Sequence, residues 1–241
     1  LIKMHSNKYK VIIYGKNVYK EYILNAAEKK TAKIGTNKSC DVRFNKDAFF
    51  EEFELVLEYF SGTWQLLSCD NIYFTADGIV KSLSKDLEHG DVLTFKYKSS
   101  NAELFKLNFF VDFDSVKRNY NRVIDISNIT SIKIGGREDS DIFIVDELLN
   151  KDTVTLTKKD NEIYIRDNDT KYGIYINGER IVKQKEIKVS DCDFFMLAGY
   201  SFYLKEGRLY TDTNDAIRIR NLEFHDVEEQ KSVFKYPKFN R

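Results

Sequence analysis

The chain has 241 residues, with 38 Lys and Arg against 38 Asp and Glu, so its formal charge is zero. Hydrophobic residues make up 42% and charged residues 32%, which excludes a disordered polyelectrolyte and leaves no basic field for non-specific nucleic-acid binding. Cys40, Cys69 and Cys192 form no Cys-x-x-Cys pair, which excludes zinc ribbons and thioredoxin-like redox centres and points to reduced thiols and the cytoplasm.

No uninterrupted apolar run approaches the ~20 residues of a membrane-crossing helix, and the N-terminus lacks the apolar core of a secretory signal. Leu1-Ile2-Lys3 precede Met4, read here as the native start, and the finish at Tyr236-Pro237-Lys238-Phe239-Asn240-Arg241 reads as a cut within something larger.

Along the chain the candidate elements are short, β-branched or aromatic, and bounded by Gly, Asn, Asp or Ser. Lys10–Tyr14, Val42–Phe44, Phe53–Leu57 and Thr63–Leu67 come first, and Thr153–Thr157, Glu162–Arg166 and Glu186–Val189 follow. Their period of two sends alternate side chains to a core and to water. Many such strands at close spacing predict an all-β architecture of sandwiches or barrels.

A repeat runs through the pattern. Lys33-Ile34-Gly35 with Cys40-Asp41-Val42 matches Lys133-Ile134-Gly135 with Ser140-Asp141-Ile142, with Gly35 and Gly135 100 residues apart. Leu87–Leu93 parallels Val189–Phe195, with Asp91 and Asp193 102 residues apart. The repeat predicts two tandem β-sandwiches over 4–113 and 122–213, with a polar stretch from Asp114 to Asn121 between them. Residues 214–241, which mix Arg218, Arg220, Glu223, Asp226, Glu228 and Glu229, read as a solvated connector.

Catalytic and metal-binding patterns are weak. His5, His89 and His225 are far apart, and His89, before Gly90-Asp91, is expected to be an exposed turn residue. Asp167–Gly173 superficially has the look of a calcium loop, but Lys171 occupies a ligand position and Gly178 the place of the bidentate glutamate. Gly15-Lys16 and Gly135-Gly136 lack the spacing of a nucleotide-binding loop. The chain therefore reads as a non-enzymatic binding module without a cofactor. The aromatic content of 14% fits strand cores better than a stacking platform.

The second half holds the candidate site. Arg137 follows Gly135-Gly136 at a tight turn, where a guanidinium can meet a phosphate or carboxylate. Asn177-Gly178 is a two-residue hairpin signal. The order of these pieces, with Tyr172–Ile181 and Asp191–Leu197, resembles the forkhead-associated (FHA) domain, a β-sandwich whose loops bind phosphothreonine peptides.

The family pattern is a Gly-Arg turn, a Ser-x-x-His motif and a Ser-x-Asn-Gly motif. The resemblance places the first at Gly136-Arg137, the second at Asn150-Lys151-Asp152-Thr153 and the third at Thr170-Lys171-Tyr172-Gly173. Both named residues of the second motif are missing, and Tyr172 replaces the asparagine that holds the peptide backbone. The candidate peptide- or phosphate-binding residues are thus Arg137, Asn150, Lys151, Thr170, Lys171 and Tyr172, with Arg137, Lys151 and Lys171 the remaining cations. In the first half Thr36 is read in the arginine position, and Phe49-Phe50-Glu51-Glu52-Phe53 falls at Ser-x-x-His, where two glutamates repel a phosphate.

Tandem degenerate FHA-like sandwiches followed by the Tyr-Pro-x-Phe-x-Arg run resemble the N-terminal region of EssC-type FtsK/SpoIIIE-like ATPases of Gram-positive type VII secretion. That resemblance implies a scaffold on the cytoplasmic side of the membrane, with the ATPase domains lying outside this chain. It implies protein partners of the secretion machine, among them a pseudokinase-like subunit and a small ubiquitin-like protein, and docking largely independent of phosphorylation. The rival readings are a phosphothreonine reader in the second half and, more weakly, a sugar-binding or hydrolytic β-sandwich.

Overall fold

The computed structural model describes residues 9–76, 78–111, 116–117, 120–149, 151–227 and 233–234. Two compact units form, Leu1–Asp112 and Phe113–Arg241. With strands numbered along the chain, one sheet of the first unit runs β2 (Val18–Leu24), β1 (Tyr9–Gly15), β10 (Glu103–Val111), β9 (Val92–Tyr97), β7 (Ile72–Thr75). Its other sheet runs β4 (Val42–Arg43), β3 (Thr31–Gly35), β5 (Glu54–Phe60), β6 (Thr63–Ser68), β8 (Ser84–Asp86).

In the second unit a seven-stranded sheet runs β18 (Glu179–Arg180), β17 (Ile174–Ile176), β20 (Phe194–Leu197), β21 (Tyr200–Lys205), β22 (Arg208–Thr211), β12 (Arg122–Asp125), β24 (Phe224–Asp226). A six-stranded sheet runs β19 (Glu186–Val189), β16 (Glu162–Asp167), β15 (Thr153–Lys159), β13 (Ser131–Gly135), β14 (Ile142–Ile144), β23 (Ile217–Ile219). A short pair joins β11 (Val116–Lys117) to β25 (Val233–Phe234). The fold is all-β, two tandem β-sandwiches.

The alternation seen in the sequence explains the layers. In β5, Leu55 and Leu57 are fully buried while Glu54 and Glu58 flank them on the outer face; in β13, Ile132 and Ile134 point inward and Ser131 and Lys133 outward. Val11 and Ile13 of one sheet meet Leu55, Leu57 and Trp64 of the other in a single core, and each such large side chain contributes about 1.5–3 kcal/mol. Phe44, Phe49, Phe53 and Phe105 add a ring cluster with centroids 4.9–6.4 Å apart.

The repeat reappears as paired hydrogen bonds. Asp41 Oδ2 accepts Lys33 N at 2.9 Å and Asp141 Oδ2 accepts Lys133 N at 2.8 Å. Asp91 Oδ2 accepts Glu88 N at 2.8 Å and Asp193 Oδ2 accepts Ser190 N at 2.7 Å. Each carboxylate satisfies a backbone donor at a turn, which is why aspartate recurs there. Among the described residues, the only parallel pairing in each unit joins the strands on either side of the Asp41 or Asp141 turn, β3 with β4 and β13 with β14.

Two expectations change. Residues 217–226, read as part of a connector, contain β23 and β24, which pair with β14 and β12. Short strands at a sheet edge need only a few alternating residues, and the dense charges of this segment masked them. His89, expected in solvent, is only 7% exposed and its Nδ1 accepts Val111 N at 3.0 Å, because the turn folds it against β10. Among the described residues no helix is long and apolar enough to cross a membrane.

Candidate functional site

Three loops meet at one end of the second unit, and Asp152 joins them. Its backbone oxygen accepts Gly136 N at 2.9 Å, and its Oδ2 accepts Lys171 N at 2.8 Å. The turn bearing Arg137, the Lys151-Asp152 corner and the 170–172 segment are therefore neighbours. Gly135 makes this closeness possible. Its φ of +147° suits glycine, and a Cβ there would lie 2.1 Å from Asp152 O.

The candidate residues separate into two groups. Arg137, Lys151 and Lys171 are exposed, with Lys151 at a φ of +76°. Thr170 is fully buried and Tyr172 is 4% exposed, so neither lies on the surface that a peptide would meet. Asn150 lies outside the described residues. Of the candidate residues, Thr170 and Tyr172 therefore lie in the interior of the second unit. Asp167, itself buried, accepts Thr170 N on Oδ1 at 2.7 Å and turns this segment inward.

Two of the three exposed cations, Arg137 and Lys171, are already engaged. Asp139 accepts from Arg137 Nε at 3.0 Å and from Lys133 Nζ at 2.7 Å. Lys133 first, and Arg137 second, hold the Asp139 carboxyl below the usual carboxylate range. Lys171 Nζ lies 4.9 Å from the centre of the Tyr172 ring. Beneath the loops, burial pushes the Asp152 carboxyl up, and the nearby Asp167 adds to that shift. A phosphate arriving here must compete with Asp139 for the guanidinium and approach Asp152 and Asp167.

Asp139, Asp152 and Asp167 are shaping residues of this corner that the sequence reading did not include among its candidate site residues. Asp139 carried a signal, since it stands two residues after Arg137 within one turn. Asp167 carried none, because strand pairing sets its burial. The Asn177-Gly178 hairpin does form, with φ of +50° and +82° at its two residues and Ile176 paired with Glu179. Asn177 also anchors it, donating from Nδ2 to Asp193 Oδ1 at 2.8 Å and accepting Phe194 N at 2.9 Å. Among the described residues no group of three His, Cys, Asp or Glu could hold a metal ion.

Residues 132–198, within the second unit, match the family model of the FHA domain. A search of curated proteins finds no match. Among solved structures, the N-terminal FHA domain from EssC, a component of the bacterial type VII secretion apparatus, is similar over 90% of this chain and 100% of its own, at 10% identity and a TM-score of 0.42. The FHA-2 domain of a Mycobacterium tuberculosis ABC transporter is similar over 35% of this chain and 77% of its own, at 26% identity and a TM-score of 0.30.

Proposed function

We propose that this chain is a non-catalytic protein-docking scaffold whose FHA domain holds its partners without reading phosphothreonine. The observation that carries this reading is the pairing of Arg137 with Asp139 above the buried Thr170. The cation that would neutralise a phosphate is occupied by a carboxylate, and the hydroxyl that would bind it is enclosed. Exchanging an internal ion pair for a phosphate contact gains little when the displaced carboxylate remains alongside.

The wider setting rests on the tandem order and the Tyr-Pro-x-Phe-x-Arg run, which lies outside the described residues. In that setting the chain belongs to a type VII secretion ATPase at the cytoplasmic face of the membrane. It docks other subunits there, with a pseudokinase-like protein and a small ubiquitin-like protein as candidate partners.

Calorimetric titration of the full chain with a degenerate phosphothreonine peptide pool, against the unphosphorylated pool, tests the reading. No phosphate-dependent binding is expected. Saturable binding of the phosphorylated pool that Arg137→Ala abolishes would overturn it in favour of a phosphopeptide reader.

A further inference from the structure

Strand register fixes which residues of the first unit stand where the candidate-site loops of the second unit stand. Gly35 pairs with Glu54 as Gly135 pairs with Thr153. Counting back along each chain, Glu51 and Glu52 take the places of Asn150 and Lys151. The turns match as well, since Cys40 N donates to Asn37 O as Ser140 N donates to Arg137 O. Asn37, rather than Thr36, therefore occupies the position of Arg137, correcting the sequence alignment. At these matched positions the first unit carries Asn37, Glu51 and Glu52 where the second carries Arg137, Asn150 and Lys151, with Lys38 as the cation of its first turn.

This corner is built rigidly. The Tyr97 hydroxyl accepts Phe50 N at 3.1 Å and Glu51 N at 3.3 Å. Glu51 accepts from Ser99 Oγ at 2.5 Å and from Asn71 Nδ2 at 3.1 Å. Those two neutral donors, Ser99 foremost, hold the Glu51 carboxyl below its usual range, and it stays charged. Neither Glu51 nor Glu52 forms an ion pair among the described residues, and Lys98 on the adjoining turn pairs with neither.

An exposed apolar side chain stands next to these charges in the chain. Phe50 is 82% exposed although the backbone that carries it is pinned. Across the 98–101 turn, Ile79 is 83% and Val80 60% exposed. Their loop is tied to the same turn, because Asn101 Oδ1 accepts from Lys81 Nζ at 3.2 Å and from the Tyr73 hydroxyl at 2.9 Å. An ordered apolar group beside uncompensated carboxylates is what a docking surface presents before its partner arrives.

We propose that this end of the first unit is a charge-inverted docking surface, which takes a protein segment carrying an apolar anchor flanked by Lys or Arg. Charge complementarity selects the partner, since a cation beside Glu51 and Glu52 completes an ion pair that the chain itself leaves open. Phe50 supplies the apolar contact. The proposal deepens the docking function above by assigning one surface and one partner chemistry to it.

The test is panning of a phage-displayed library of random dodecapeptides on the full chain, followed by fluorescence anisotropy with the recovered peptides. Sequences rich in apolar and basic residues are expected. Their binding should weaken about tenfold or more in Phe50→Ser and in Glu51→Lys/Glu52→Lys, and fall with added salt. Glu52→Lys alone, at an exposed position, keeps the charge test independent of the Glu51 hydrogen bonds. Peptides without basic enrichment, or peptides that bind these variants as tightly as the native chain, would overturn the assignment and leave docking elsewhere on the chain intact. Recovery of no binding peptide at all would count against both readings.

Discussion

The two units close the same turns with the same aspartates and differ in charge at the loop residues that the register matches. Asp41 and Asp141 each hold a lysine N–H, and Asp91 and Asp193 each hold the donor of a later turn. At the loop ends the second unit shows Arg137, Lys151 and Lys171, while the first shows Glu51 and Glu52 around Phe50. Residues that satisfy the backbone are fixed by the strand pattern, whereas exposed loop residues can change sign without disturbing it. One scaffold can therefore serve two partner chemistries.

The comparison breaks first at the glycines. Gly135→Ala is expected to cost about 2–4 kcal/mol, through left-handed backbone strain together with collision against Asp152 O. Gly35→Ala meets Phe53 O at 2.3 Å without a φ in that region, so its cost should be smaller. Urea unfolding of each variant checks the order, and equal losses would contradict it.

Removing the shared turn anchors comes next. Asp41→Ala and Asp141→Ala should each cost about 1–2 kcal/mol by leaving a lysine N–H unpaired. Amide exchange should show each loss confined to its own unit. An effect seen in one variant alone would undercut the shared plan.

Acid separates the two units. Burial alone would push the Asp41 carboxyl up, but Lys29 and the Lys33 N–H outweigh it and hold it below 3.8. Its contribution is thus complete above pH 3.8 and is lost as pH falls through the lower folded value. Asp152 is raised, mainly by burial, so its ionisation opposes folding at neutral pH and that opposition fades as pH falls towards 3.8. Asp41→Asn should destabilise at neutral pH and Asp152→Asn should stabilise, both effects shrinking on acidification. Thermal melts from neutral to acid pH read the two signs, and like signs would refute the contrast.

Two smaller effects sharpen the site. Asp139→Ala should free Arg137 and raise affinity for inorganic phosphate by about 3- to 10-fold, measured by chemical-shift titration. No change would mean that the pairing does not limit anion binding. Lys183→Ala breaks an exposed pair with Asp169 at 2.8 Å and should change stability by less than about 0.5 kcal/mol. A larger loss on denaturation would show that this rim pair supports the loop.

Much of this was legible in the residues. Alternation in stretches such as Phe53–Leu57 and Glu162–Arg166 marked strands, and the repeated Ile-Gly and Asp positions marked two sandwiches. Asn177-Gly178 marked its hairpin because only certain residues take positive φ cheaply. The candidate site was half legible. Arg137 and Lys171 were found on the surface, but Thr170 and Tyr172 belong to the interior.

What the sequence by itself determined is the all-β class, the tandem order and the turn chemistry, because each depends on neighbours a few residues away. Tertiary structure alone decided that Asp167 lies under the 170–172 segment and that residues 217–226 complete two sheets. It also decided that Asn37 stands where Arg137 does and that Glu51 is braced by Asn71 and Ser99. Burial and charge pairing are set by which distant strands come to lie side by side, and a linear spacing of types does not carry that geometry.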